Sequence, residues 1–277
     1  RCDLAQSSTE VCSVREFPVN GSVATAIYED LDWGVGDDDF NDFATLFKVE
    51  EVFVSGTLRK INMHFMPSAR GAGYNHKLIF VPSGEPTVGL RTPPFFNGDA
   101  NIRVKTYDVG THELLSEANY NAGDEVVIFE DTTVSMPGWN SYPNQPDTLP
   151  VHYVNVEMTI LNPDANPLSG RQAIDLSLFR LILHVIPTSK RAELIEVLFG
   201  SHQTVRPDPD DIAAPYGMIV PTNFEYPLEG VNIRQVYPHF ESYLNWLIDG
   251  MTYSIPKEPM NWFLNPAAGT ENLRHHN

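Results

Sequence analysis

Cysteine is nearly absent from this chain: only Cys2 and Cys12 occur in 277 residues. That excludes a disulfide-rich scaffold and a multi-cysteine zinc site. Two cysteines this close together can close one small loop in an oxidising compartment, or they can be two unrelated buried thiols. Both lie near the N-terminus, so a thiol nucleophile is not expected. Basic residues are scarce too, with 18 Lys and Arg against 36 Asp and Glu and a formal net charge of -18. Such a surface repels phosphate, so neither nucleic acid nor an anionic membrane is an expected partner. No apolar run approaches the roughly 18 residues that a membrane-spanning helix needs. The first residue is Arg rather than Met, which suits a mature exported chain after signal-peptide removal. Asn20-Gly21-Ser22 is a glycosylation sequon, a triplet that chance also produces often.

Apolar residues are present in the proportion of a folded globule, at 42%. Ile61, Met63 and Phe65 alternate with Lys60, Asn62 and His64. Val154, Val156, Met158 and Ile160 alternate with Tyr153, Asn155, Glu157 and Thr159, and Ile102 and Val104 with Arg103 and Lys105. Period two with one apolar face predicts half-buried strands. The continuous runs 77–81, 125–129 and 176–186 predict strands covered on both faces. The 22 prolines gather in connections such as 82–94, 137–150 and 207–227, where a missing N–H does least harm. The segment 191–199 has helix-like composition but little room between Pro187 and Gly200. The clearest helix is 232–248, with Asn232 as its cap and Pro238 obliged to lie in its first turns or to kink it. The expected fold is all-β, mainly an antiparallel β-sandwich, with one short C-terminal helix. Residues 1–22 are expected to form an N-terminal arm carrying the cysteines, and 23–277 a single domain.

Residues 29–42 concentrate charge. Seven of these fourteen residues are carboxylates, Asn41 adds an eighth oxygen side chain, and no Lys or Arg lies between Arg15 and Lys48. Mutual repulsion calls for compensation, and a hard divalent cation supplies it. Asp37-x-Asp39-x-Asn41-Asp42 has the alternate-residue oxygen spacing of calcium loops. Magnesium demands stricter geometry, and zinc has no Cys or His in the stretch. An EF-hand is excluded, because its sixth position requires Gly and Asp42 stands there. The expected cofactor is therefore Ca2+, held by Asp37, Asp39, Asn41 and Asp42, with Glu29 and Asp30 as further candidates. Phe40 or Phe43 would anchor the loop to the core. The competing reading is a solvated acidic turn whose side chains accept local backbone N–H groups.

Tyr28-Glu29-Asp30-Leu31 followed by Gly36-Asp37-Asp38-Asp39-Phe40-Asn41-Asp42 resembles the N-terminal signature of LruC-domain proteins. The downstream run Tyr216 to Pro221, Phe224 to Glu229, Tyr237-Pro238-His239-Phe240 and Trp246 is similar to the C-terminal segment of the same family. The resemblance covers roughly residues 23 to 265, and its two ends carry it. It implies an exported bacterial β-sandwich, often at a cell surface, with a structural calcium site in the acidic loop and no established catalysis. Asp38 departs from the pattern, which often has an aromatic residue there.

Other chemistry has little support. The nine histidines are scattered, and His184, inside an apolar run, is expected to be a hydrogen-bonded core residue. There is no H-E-x-x-H, G-x-S-x-G, P-loop or dinucleotide motif. Asp38 with Asp39, or Asp208 with Asp210 and Asp211, could in principle act as a hydrolase pair, but acidic pairs are common in so acidic a chain. Trp139 and Tyr142 lie in a proline-rich loop, either pinning it to the domain or offering rings to a glycan or a partner. The expectation is a non-enzymatic extracellular or cell-surface module for attachment or assembly, partnered by its own copies (a homo-oligomer or filament) or by a surface glycan. A carbohydrate-binding module and a secreted hydrolase are the alternatives.

Overall fold

A computed structural model of the protein describes residues 11–29, 38–71, 73–82, 100–140, 148–163, 174, 176, 179–186, 194–197, 205–206, 214–215, 217–248 and 260–267. Its main body is two antiparallel sheets. The strands are β1 (Cys12–Phe17), β2 (Ala24–Tyr28), β3 (Phe43–Val54), β4 (Thr57–Ala69), β5 (Asn75–Val81), β6 (Ala100–Asp108), β7 (Leu114–Asn121), β8 (Val126–Phe129), β9 (His152–Ile160), β10 (Arg180–Ile186), β11 (Leu194–Val197), β12 (Val205–Arg206), β13 (Ala214–Pro215) and β14 (Gly217–Val220). The large sheet runs β14-β2-β3-β4-β9-β6-β7, with β1 also paired to β3; the second runs β11-β10-β5-β8; β12 and β13 form a small ribbon. The all-β antiparallel expectation therefore describes the molecule.

Alternation in the strands decides what is buried. Ile61, Met63 and Phe65 of β4, Val154, Val156 and Met158 of β9, and Ile102 and Val104 of β6 all face inward. They meet Leu78 and Phe80 of β5, Leu181, Leu183 and Val185 of β10, and Val126, Ile128 and Phe129 of β8 in one core. Phe47 stands at its centre, 6.1 Å from both Phe17 and Phe65 between ring centroids. The opposite faces of β5 and β10 bury Ile79, Val81 and Ile182 in a separate cluster, which is why those runs read as continuously apolar.

Four elements differ from expectation. Residues 12–17 are not a free arm: β1 pairs with β3 from Cys12 opposite Val54 to Phe17 opposite Val49. The sheet thus begins before the expected boundary at residue 23, and these six residues are already committed to their own β3. The segment 191–199 contains a strand, β11, because an open edge of β10 offers it four paired positions from His184 to Leu181. Tertiary pairing overrides a weak local helix preference. The C-terminal helix is two helices, α2 (Ile233–Val236) and α3 (Phe240–Ile248), following the short α1 (Thr132–Ser135). Asn232 caps α2 as expected, accepting the N–H of Arg234 at 2.9 Å, but Pro238 cannot continue it and the chain breaks at Tyr237 and Pro238. Among the described residues the buried histidine is His76, while His184 is only half-buried.

A second core lies on the outer face of the large sheet. Ile27 and Ala44, pointing away from the sandwich, are covered by Met218, Phe224, Tyr226, Ile233, Val236, Tyr237, Phe240, Leu244 and Trp262. β2 is consequently buried along its whole length. Phe47→Ala is expected to cost about 3–5 kcal/mol and Val14→Ala, at a surface site, within about 0.5 kcal/mol. Chemical denaturation with both midpoint and slope fitted measures the difference.

Candidate functional site

The acidic turn links β2 to β3. Tyr28 and Phe43 form the last pair of that ladder, so Glu29 and Asp42 leave it at the same end. Because the outer face is covered there, the described residues of the turn are driven indoors. Glu29, Asp39, Asn41 and Asp42 are all buried, Asp39 at 1% exposure, and Asp38 nearly so. Asp30 and Asp37 lie outside the described residues.

The chain from 38 to 40 is not extended, as an alternating ligand loop would be. Asp38 and Phe40 both adopt left-handed backbone, with φ of 53° and 55°. A non-glycine residue there costs about 1–2 kcal/mol. The return is packing: Phe40 is fully buried, with its ring 6.0 Å from Phe240 in an edge-on contact. Phe240 in turn stands 4.9 Å from Trp262, which also meets Phe224 and Tyr237. The anchor role expected of Phe40 is thus met by α3 and the segment after it.

Asp38, Asp39 and Asn41 are each held by residues about 190 positions away. Arg234 donates to Asp38 Oδ2 at 2.6 Å and Asn232 Nδ2 to the same oxygen at 3.5 Å. The Ile233 N–H donates to the Asp38 carbonyl at 2.8 Å. Asp39 Oδ2 accepts the Gly230 N–H at 2.9 Å, and its Oδ1 accepts the Asn41 N–H at 3.2 Å. Gly230 has φ of 74°, the conformation that glycine tolerates best. Asn41 Nδ2 donates to the Pro227 carbonyl at 3.0 Å. That bond settles the amide orientation and leaves Asn41 Oδ1 as a buried acceptor with no donor. The compensating cation for Asp38 is therefore a guanidinium; the sequence marks Asn232 only as a helix cap, and Arg234 and Gly230 not at all. All three fall in or beside the downstream run that resembled the LruC segment, but nothing local marks them as partners of the turn.

Among the described residues no three His, Cys, Asp or Glu groups converge as a metal shell. Asn41 Oδ1, which accepts no hydrogen bond among the described residues, and the buried carboxylates of Glu29 and Asp42 on the same turn are oxygens of the kind an all-oxygen site uses. It would have to be completed from the stretch that includes Asp30 and Asp37.

The remaining candidates disperse. Trp139 is 40% exposed. Its loop is pinned instead by Asn140, whose side chain accepts the Arg70 N–H at 3.0 Å and donates to the Ser68 carbonyl at 2.8 Å. Tyr142, Cys2, Asp208, Asp210 and Asp211 lie outside the described residues. Cys12 is disulfide-bonded.

A family model described as a domain of unknown function, DUF4842, matches residues 209–253. The match contains Gly230, Asn232 and Arg234, the residues that close on the acidic turn. No curated protein matches the chain. Among solved structures, a Bacteroides ovatus protein described as a candidate lipoprotein is similar, with a TM-score of 0.58 at 13% identity. The alignment covers 96% of this chain and 76% of that one. That likeness shows the shared fold.

Two outcomes follow for this site. In a double-mutant cycle, Asp38→Asn and Arg234→Ala are expected to couple by about 1–3 kcal/mol in denaturation free energy. Burial, with the Glu225 carboxylate adding to it, raises the Tyr237 phenol well above its ordinary value of 10.0. A raised value favours the protonated fold, so this stability is complete below pH 10 and declines as pH rises above it. Tyr237→Phe is expected to flatten that alkaline slope. It also loses the 2.6 Å bond to the Glu225 carbonyl, at about 1 kcal/mol.

Proposed function

We propose that this chain is an exported, calcium-stabilised, non-enzymatic module of a bacterial cell surface or extracellular assembly. The observation that carries the reading is a buried Asn41 carbonyl oxygen that accepts no hydrogen bond among the described residues, in a turn that also buries Glu29, Asp39 and Asp42. Buried carboxylates need cations or donors. Here the guanidinium of Arg234 is engaged by Asp38, and a calcium ion would add a second cation to the turn. Asn41, Asp42 and Glu29 would contribute ligands, with Asp30 and Asp37 as further ones and Asp39 sharing an oxygen. Bound there, the ion would hold together the turn between β2 and β3.

The surface role draws on the disulfide at Cys12, which suits an oxidising compartment, and on the description of the structural neighbour as a lipoprotein. Self-assembly and glycan attachment are the two partner classes that fit such a module.

Thermal unfolding of the full chain with calcium, magnesium or a chelator tests the ion. Calcium at a hundredfold excess over its Kd is expected to add about 2.7 kcal/mol. Asn41→Ala and Asp42→Asn are expected to abolish the increment. An equal midpoint in calcium and in chelator, after equilibration at high temperature, would sink the proposal.

A further inference from the structure

We infer that the uncovered part of the large sheet's outer face is a binding site for a neutral glycan chain. The inference rests on reading the chain as a binding module, but not on the calcium ion. Where β2 and β3 carry the C-terminal segment, this face is buried. Across β9, β6 and β7 it is open and holds a groove of about 590 Å³.

The groove is an ordered lattice of side chains. Asn101 of β6 stands between Asn121 of β7 and Thr159 of β9; Arg103 stands between Asn119 and Glu157. These make two parallel rows of three on neighbouring strands, about 7 Å apart along the strands. Asn101, Asn119 and Thr159 are exposed and have no side-chain hydrogen bond among the described residues. Amides and hydroxyls both donate and accept, which matches sugar hydroxyls, since these do the same. Tyr107 and Tyr153 lie on the same face two rows further along, stacked with centroids 5.1 Å apart. They form an aromatic wall where the polar rows end.

Charge decides between neutral and acidic ligands. Arg103 donates to Glu157 at 2.8 Å and lies 3.9 Å from Glu117; Lys60 reaches the other Glu157 oxygen at 2.5 Å. Lys105 lies 4.0 Å from Glu117. Arg103, Lys60 and Lys105 share the carboxylates of Glu157 and Glu117, so the face has neither the large positive excess a polyanion requires nor the acidity of the rest of the chain. Arg103 keeps N–H groups beyond those that Glu157 takes, and it is held rigid for a ligand.

Affinity electrophoresis through gels containing single polysaccharides tests the site. The neutral probes are β-glucan, mannan, galactan and xylan; the acidic ones are polygalacturonate and alginate. Retardation by at least one neutral probe and by neither acidic one is expected. Arg103→Ala and the pair Asn101→Ala with Asn119→Ala are each expected to weaken it about tenfold or more, with unfolding midpoints unchanged; Trp139→Ala is expected to leave it intact. Absence of neutral binding, binding only to acidic probes, or loss with Trp139→Ala but not with the groove variants would overturn the inference. Repeating the gels in chelator separates it from the calcium reading, which the melting curves judge alone.

Discussion

A carboxylate at 1% exposure has to be held by donors, and Asp39 is held from both ends of the chain. The Gly230 N–H reaches one oxygen and the Asn41 N–H the other. This closure of the C-terminal segment over the turn between β2 and β3 is the constraint on which the rest depends. It places Phe40 in the aromatic cluster around Trp262, gives Asp38 the Arg234 guanidinium, and buries the outer face of β2. Remove the segment and the turn would regain water, but Ile27, Ala44 and Phe40 would lose their cover.

The outer face of the large sheet is thereby divided in two. One half is a second hydrophobic core under residues 217–248 and 260–267. The other half, over β9, β6 and β7, stays polar, with charges paired across neighbouring strands. Exposed pairs of this kind contribute little to stability, roughly 0–1 kcal/mol each. Their effect here is to set the local charge near zero in a chain of -18. The covered half fixes the fold, and the open half presents groups to solvent.

Much of the sandwich was legible because alternation is a local property. Ile61, Met63 and Phe65, or Val154, Val156 and Met158, announce a buried face in any sheet that takes them. The acidic stretch was equally visible as a charge that needed an answer, and Phe40 as its anchor. The left-handed backbone at Phe40 was not visible, since a bulky aromatic residue rarely adopts it, and Asp38 is only one of several Asp residues in the stretch that tolerate it. Nor was the groove: Asn101, Arg103, Asn119 and Glu157 belong to three strands and become neighbours only through register.

By itself the sequence determined which residues had to leave water and which short segments would extend, because both follow from side-chain chemistry at spacings of a few residues. It also determined that the turn after β2 carried more negative charge than its neighbourhood could balance. The tertiary structure decided where the balancing groups come from. Arg234, Gly230 and Asn232 meet the turn across about 190 residues, and that meeting depends on how β14, α2 and α3 pack on the sheet. It likewise decided that the helical stretch, in which Pro238 had to fall in the first turns or make a kink, divides into α2 and α3 on either side of that proline, and that β1 joins the domain sheet. Long-range closure is a property of the assembled chain, and no local pattern encodes it.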